Sequence, residues 1–397
     1  MPASPREERR PPPRILVIAG SDSGGGAGIQ ADIKTITMLG GFATTAITAI
    51  TAQNTLGVGA VMPVPVDMVL AQVDAILTDI GADAVKIGMI GSAATAEAVA
   101  ERLEALDLPV VFDPVMVATS GSALADAATV AAFGRLMAKA AVVTPNVPEL
   151  EALTGRSLPS VEAAEAAARG LALRTGAAVL AKGGHFEGPS VVDLLVSPDG
   201  HVRRWESPRI ESADTHGTGC TLASAIATHV GGGLATEEAV ERARGFVRRA
   251  MLGAPGFGAG AGPMGHGEAG GDAMNLNQVT LPASDYNASV AFYRQLGLRQ
   301  IVDSPGRYAR FECPGGATLS IHAEAGEGPG GAAICFESPD LDAWVARLEA
   351  AGIAFDALPE DRPWLWREAC LRDPAGNRLI LFRAGENRRF PPWRLPD

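Results

Sequence analysis

Cysteine is scarce, at 4 residues in 397. That excludes a disulfide framework and points to a reducing compartment, with the cytoplasm as the expected location. No apolar run approaches the ~18 residues that a membrane span needs. The opening stretch, MPASPREERRPPPR, has no apolar segment before Ile15, so residues 1–14 read as a disordered tail and not as a signal peptide. Positive charge is short as well: 33 Lys plus Arg stand against 45 Asp plus Glu, a net charge of −12. Such a chain has no general attraction to nucleic acid or anionic lipid, and neither is expected as a partner. The P-loop pattern GxxxxGK[ST] is absent. The stretch Gly24-x-Gly26-Ala27 fits the dinucleotide pattern GxGxxG poorly, and no acidic residue ends the next strand.

Lysine is the most informative shortage. Only Lys34, Lys86, Lys139 and Lys182 occur, beside 29 arginines. A lysine kept against that bias suits a site that needs a compact point charge and not a planar fork. Lys86 (in VKIGM) and Lys182 (in AKGGH) both end predicted strands. Aromatics are sparse before residue 273, with 7 there against 13 after it. Between the two regions lies Gly253–Gly271, where 9 of 19 residues are glycine. That composition marks a domain junction. At ~150 residues per domain the length allows two or three. The expected division is 15–268, a glycine-rich linker at 269–273, and 274–397.

What is present in the first part is a strand–helix alternation. Apolar, β-branched runs occur at 15–19, 46–51, 84–88, 110–112, 142–145 and 178–181. Amphipathic helical stretches occur at 67–80, 93–105, 126–139 and 161–174. The fold class is α/β, a sandwich with a mainly parallel central sheet. Ligands of such sheets bind beyond the carboxyl ends of the strands. The unusual residues gather there: Gly20-Ser21-Asp22, Gln53-Asn54, Lys86 to Met89, Asp113-Pro114, Pro145-Asn146 and Lys182 to His185.

The sharpest motif is Asp214-Thr215-His216-Gly217-Thr218-Gly219-Cys220-Thr221, leading into an apolar helix. A Gly-Thr-Gly turn at a helix start aims free N–H groups at one point, an anion hole suited to a transferring phosphoryl group. Cys220 in the first helical turn is either a base whose thiolate the helix end favours or a small residue packing the helix start.

Taken together, AGSDSGGGAGIQADIKT, TAITAQNT, VKIGM, DPVMVATSG, VTPNVPE, KGGH, DTHGTGCT and GPMGHGE make residues 14–268 resemble the hydroxymethylpyrimidine/phosphomethylpyrimidine kinases of thiamine biosynthesis, within the ribokinase-like superfamily. The resemblance implies ATP-dependent phosphorylation of the aminopyrimidine alcohol and then of its monophosphate, with ATP and Mg2+ as cofactors. It implies substrate contacts from Asp32, Gln53, Met89 and the backbone at Gly20. It places Cys220 in the catalytic position, with Gly217, Thr218 and Gly219 forming the anion hole. Asn146 and Glu149 match a motif near magnesium and phosphate, and Asp113 and Lys182 fall on the nucleotide side. Thr119 stands where some members carry lysine. The Gln53 amide, with one acceptor and two donors, suits an aminopyrimidine edge. A two-fold homodimer is expected by analogy.

The last part repeats itself. VTLPASD at 279–285 matches ICFESPD at 334–340, an offset of 55, and CPGGATLSIH at 313–322 matches DPAGNRLILF at 373–382, an offset of 60. Two βαβββ halves of an α+β domain resemble the vicinal-oxygen-chelate (glyoxalase and bleomycin-resistance) superfamily. The superfamily's metal positions map onto Gln278, Ser320, Ala333 and Ile380. Alanine and isoleucine cannot bind metal, and His322 is expected on the opposite face. A metal-free binding or accessory module is therefore expected. Trp364, Trp366, Phe311 and Tyr308 are either an apolar cup or core. Two other whole-chain readings are a pyridoxal or pyridoxine kinase and a non-enzymatic ligand sensor.

Overall fold

The computed structural model describes residues 11–117, 121, 124–269, 275–283, 285–295, 298–312, 317–323, 333–338, 340–350, 352–372, 378–388 and 391–395. The chain folds as two units, Met1–Gly270 and Gly271–Asp397.

In the first unit the order is β1 (Arg14–Asp22), α1 (Gly28–Met38), β2 (Phe42–Asn54), β3 (Gly57–Pro63), α2 (Val66–Asp79), β4 (Ala84–Ile87), α3 (Ala93–Glu104), β5 (Val110–Phe112) and α4 (Ala127–Lys139). There follow β6 (Val142–Val143), α5 (Val147–Thr154), α6 (Val161–Thr175), β7 (Ala178–Ala181), β8 (Ser190–Val196), β9 (Val202–Pro208), α7 (Thr218–Gly231), α8 (Thr236–Leu252) and α9 (His266–Ala269). The sheet runs β3-β2-β1-β4-β5-β6-β7-β8-β9. It is parallel from β2 to β7 and antiparallel at both edges, β2–β3 and β7–β8–β9. The mainly parallel sheet expected from the runs is there, and the three antiparallel edge strands are additional to it.

Period-2 alternation along β1 explains the sandwich. Leu16 and Ile18 pack into one core with α2, α3, α4 and α6. Ile15, Val17 and Ala19 pack into the other with α1, α7 and α8. Helix starts are set by local caps: the Ser92, Asp126 and Ser160 side chains accept N–H bonds at α3, α4 and α6.

Two boundaries differ from the expectation. Arg14 belongs to β1 and not to a tail. Its guanidinium and backbone N–H grip the Asp83 carboxylate at 2.7–3.1 Å, and Nη1 donates to the Ile80 carbonyl at 2.6 Å. The rest of the expected tail, over 1–10, lies outside the described residues. The glycine-rich stretch is also no slack linker up to Ala269, which sits in α9. It forms a strap threaded where side chains do not fit. A Cβ at Gly260 would lie 2.1 Å from the Thr55 carbonyl oxygen, and one at Gly262 would lie 1.8 Å from an Asp214 carboxylate oxygen. His216 N–H donates to the Gly262 carbonyl at 3.1 Å, and His216 bridges Pro263 in parallel. Met264 and Ala269 then pack with Phe246 and Ala250 of α8. The remaining linker positions, 270–273, lie outside the described residues.

The second unit holds β10 (Asn275–Pro282), α10 (Tyr286–Gln295), β11 (Arg299–Ser304), β12 (Tyr308–Glu312) and β13 (Thr318–His322), then β14 (Ala333–Glu337), α11 (Leu341–Ala350), β15 (Ala357–Asp361), β16 (Arg367–Arg372) and β17 (Arg378–Arg383). Its sheet runs β11-β12-β13-β10-β14-β17-β16-β15. The register carries the repeat. Val279 pairs Ile334 across the antiparallel centre, while Gln278 pairs Thr318 and Ala333 pairs Arg378 in parallel. These pairs reproduce the offsets of 55 and 60 found in the sequence.

Candidate active site

The carboxyl ends of β1, β2, β4, β5, β6 and β7 open onto a cavity of about 860 Å³. Of the twelve residues expected to form the site, eleven line it: Gly20, Gln53, Met89, Asp113, Asn146, Glu149, Lys182, Gly217, Thr218, Gly219 and Cys220. Asp32 does not. It is 0% exposed, clamped to Lys86 Nζ at 2.8 and 2.9 Å, and it accepts from Ser224 Oγ at 2.7 Å. The expected substrate contact is therefore corrected to a buried ion pair between α1, β4 and α7. A carboxylate taken wholly out of water needs such partners. Thr119 lies outside the described residues.

One side of the cavity is built around the Lys182 ammonium, flanked by two carboxylates. Lys182 Nζ donates to Asp113 Oδ1 at 2.9 Å and lies 3.8 Å from Glu149 Oε2. Asp113 also accepts from Thr144 Oγ1 at 2.9 Å. An isolated bridge between Asn146 and Lys182 carries the β6–β7 ladder up to this cluster. Asn146 and Glu149 form a capping box on α5: the Asn146 side chain accepts from Glu149 N–H at 2.9 Å, and Glu149 Oε2 accepts from Asn146 N–H at 2.8 Å. The Asn-x-x-Glu spacing thus builds a helix start and sets a carboxylate beside Lys182 in one stroke. Burial would lower the Lys182 pKa, but Asp113 and Glu149 outweigh it and raise it above the usual value.

Burial pushes Glu149 up to about 7, with Asp113 adding to the rise and Lys182 opposing it. The folded state therefore holds a proton that the unfolded chain releases. The stability from that proton is fully present below the ordinary value of 4.5 and is lost as pH rises through about 7. The melting temperature is expected to fall between pH 5 and 8, and Glu149→Gln is expected to flatten that slope. An unchanged slope in calorimetry of the variant would remove Glu149 from this role.

The other side is backbone. Gly217 caps α7 with φ of 82°, and a Cβ there would lie 1.9 Å from the Gly26 carbonyl oxygen, so the two glycine-rich loops meet main chain to main chain. The N–H groups of Gly219 and Cys220, in the first turn of α7, have no intrahelical acceptor. A Cβ at Gly219 would sit 3.2 Å from an Asp113 carboxylate oxygen and 3.3 Å from Lys182 Nζ. The helix start therefore lies directly against the Lys182 ammonium, so that its free N–H groups and this one cation can meet an anion together.

Cys220 behaves against expectation. Burial pushes its thiol up to about 11, with Asp32 and Asp113 adding to the rise, while Lys86 and the Gly28 N–H pull the other way. A helix start by itself lowers a thiol pKa, but loss of water and two nearby carboxylates outweigh the dipole. The thiol is neutral at pH 7.

At the far end stand Gln53, Met89 and Gly20. A Cβ on Gly20 would come within 3.0 Å of Met89 Sδ, so the glycine leaves room for the thioether. Asp22 and His216 also meet here, and sequence reasoning assigned neither of them a part in the site. Asp22, 3% exposed, accepts from Gly24, Gly26 and Ala27 N–H at 2.8–3.0 Å and from His216 Nε2 at 3.0 Å. Burial would raise its pKa, but His216 and these N–H groups hold it below the usual carboxylate range. A carboxylate followed within five residues by four glycines or alanines is a signal for such a loop-pinning role.

Residues 22–265 match the sequence model of the phosphomethylpyrimidine kinases. The chain belongs to the phosphomethylpyrimidine kinase family. Among relatives of this family, a Rhizobium meliloti hydroxymethylpyrimidine/phosphomethylpyrimidine kinase is 48% identical over 255 residues, 63% of this chain and 96% of the relative. The thiamine biosynthesis bifunctional protein ThiED of Geobacter sulfurreducens is 47% identical over 259 residues, 64% of this chain. The chain spans 52% of that protein's length, and 35% of the Corynebacterium efficiens multifunctional ThiED. A solved structure of Staphylococcus aureus pyridoxal kinase in complex with ADP is 33% identical, with a TM-score of 0.61, covering 65% of this chain and 94% of that one. The phosphomethylpyrimidine kinase fold is thus the ribokinase-like one expected. Residues 275–381 match the glyoxalase/bleomycin resistance protein/dioxygenase superfamily.

In that second unit Gln278 Oε1 accepts from Thr318 Oγ1 at 2.8 Å, and Ser320 shares a 2.8 Å bond with the Tyr308 hydroxyl. With Ala333 and Ile380, the four superfamily positions offer one amide and one hydroxyl, both engaged within the protein, which does not fit a transition-metal ion. His322 is corrected: two residues from Ser320 on one strand, it shares that residue's face, and its ring lies 6.4 Å from that of Tyr308. Phe311 packs as core with Tyr293 under α10, whereas Trp366 lies under Arg310 at 4.6 Å and stacks on Phe382 at 4.3 Å.

Proposed function

We propose that the first unit transfers the γ-phosphoryl group of ATP to the hydroxyl of 4-amino-5-hydroxymethyl-2-methylpyrimidine, and then a second phosphoryl group to the monophosphate, in thiamine biosynthesis. The observation that carries this reading is one cavity with Lys182 and the α7 N–H groups at one end and Gln53 and Met89 at the other. Phosphoryl transfer asks for positioning and charge stabilisation and little covalent chemistry. Lys182 and the N–H groups of Gly219 and Cys220 neutralise charge on the moving group. Cys220 lines the same cavity, and its thiolate, the minor form at pH 7, takes the proton of the attacking hydroxyl and becomes the thiol. Relatives named for this activity are 40–48% identical over the unit.

Among the described residues no cluster of three or more His, Cys, Asp or Glu side chains could hold a metal by itself. Asp113 and Glu149 still fit Mg2+, which is ordinarily held by one or two carboxylates, phosphate oxygens and water. When bound it neutralises phosphate charge. A homodimer is part of this proposal, supported by exposed apolar side chains on β2 and β3, namely Ile50, Val61 and Met62. No helix among the described residues is long and apolar enough to cross a membrane. The second unit is proposed as a metal-free binding or accessory module.

The test is ATP-dependent phosphorylation by the full chain of the pyrimidine alcohol, its monophosphate and pyridoxal, with products followed by mass. Mono- and diphosphorylated pyrimidine are expected. Phosphorylation of pyridoxal alone would overturn the assignment in favour of a pyridoxal kinase.

A further inference from the structure

Two hydrogen-bond conflicts meet at Gln53, and both are resolved by one assignment. His216 Nε2 lies 3.0 Å from Asp22 Oδ2 and 3.0 Å from the near amide atom of Gln53, placed as nitrogen. Asp22 already accepts three backbone N–H bonds, so it is an ionised acceptor and nothing else. His216 Nε2 must then carry a proton, and a protonated ring nitrogen cannot accept from an amide N–H. The far amide atom of Gln53, placed as oxygen, lies 3.3 Å from Thr51 Oγ1. Thr51 has one hydroxyl proton and gives it to the Ser21 carbonyl at 3.0 Å. With that proton committed at the shorter distance, the hydroxyl oxygen is left as an acceptor for a donor on Gln53.

Amide oxygen and nitrogen are assigned from their partners. Exchanging them removes both conflicts: the proton on His216 Nε2 then meets two oxygens at 3.0 Å, Asp22 Oδ2 and Gln53 Oε1, in a three-centre bond, and the Gln53 amide nitrogen donates to Thr51 Oγ1. One amide proton is left over, and Gln53 lines the cavity.

We infer that Asp22 and His216 are positioning residues that lock the Gln53 amide with its oxygen inward and an N–H toward the substrate, so that Gln53 recognises a ring nitrogen acceptor and excludes a donor at that point. The inference rests on the pyrimidine reading of the cavity and deepens it, because it specifies which edge of the ring is read. An exocyclic amine placed opposite Gln53 would set donor against donor, and the buried donor left unmatched is what discriminates.

Nitrogen-15 histidine spectra of the full chain test the orientation without any substrate, with the His216 signal assigned by its loss in His216→Asn. The Nε2 shift of a protonated nitrogen is expected at pH 7–8. An unprotonated, pyridine-like Nε2 would overturn the lock whatever the substrate proves to be. Kinetics test the recognition. Gln53→Glu keeps an oxygen toward His216 but removes the donor, so the KM for the pyrimidine alcohol should rise about tenfold or more with the KM for ATP unchanged. An analogue with the facing ring nitrogen replaced by C–H should be a poor substrate of the unmodified chain and should not suffer further from Gln53→Glu. Full retention of pyrimidine affinity in Gln53→Glu would show that Gln53 offers its oxygen, and would sink the proposal. Absence of turnover on any panel member would instead overturn the pyrimidine reading, while the nitrogen shifts still decide the orientation.

Discussion

Lys182→Ala is expected to lower kcat by about 10- to 1,000-fold while leaving the fold intact. The ammonium sits between Asp113 and Glu149 and against the first turn of α7, where, on the proposed function, charge on the phosphoryl group grows as it moves. An interaction that strengthens at that stage acts on kcat more than on KM. Removing the cation also leaves Asp113 and Glu149 facing each other without a counter-charge. Glu149 should then hold its proton to higher pH. Lys182→Arg is not expected to rescue, because a planar fork cannot occupy the same point. Normal turnover in the alanine variant, by rapid quench, would show the lysine to be structural.

The second large effect concerns Cys220 and has a pH signature. With the thiol held at about 11, the thiolate fraction rises tenfold per pH unit through neutrality. If the thiolate takes the hydroxyl proton, single-turnover rates should climb between pH 7 and 9. Cys220→Ser should lose about 100-fold or more, the scale of a removed general base. Cys220→Asp should retain more activity than serine with a flatter pH profile. It should also melt lower, because a new carboxylate joins Asp32 and Asp113 out of water. Stability runs opposite to rate: the neutral thiol favours the fold, an advantage lost as pH rises from the ordinary 9 through about 11. A fully active, stable serine variant with an unchanged pH profile would reduce Cys220 to packing.

The inner strands were legible because parallel strands buried on both faces are unbroken apolar runs, and β5 and β7 fall on the residues read from them. Edge strands such as β9, Val-Arg-Arg-Trp-Glu-Ser-Pro, carry exposed charge at Arg203, Arg204 and Glu206 and left no such run. The site was legible wherever a motif residue meets the cavity. Asp32 was misplaced because a polar residue behind a glycine loop looks like a ligand contact until its partner, Lys86, is brought 54 positions across the chain. The Cys220 shift ran the other way because its burial, the largest cause, and its approach to Asp32 and Asp113 arise only in the folded chain. Asp22 and His216, 194 positions apart, meet only in the folded chain.

The glycine strap redraws where this chain can be cut. A fragment ending at Leu252, the last residue before the glycine tract, would shed Pro263, which bridges His216, and Met264 and Ala269, which seal α8. The anion loop would lose its outer wall although every motif that forms it remained. A fragment carried through Gly270 keeps that wall. Any protein fused to this unit at its carboxyl end is therefore tethered to a segment that shapes the glycine-rich loop before α7, and the practical border between the two halves falls after the glycines and not before them.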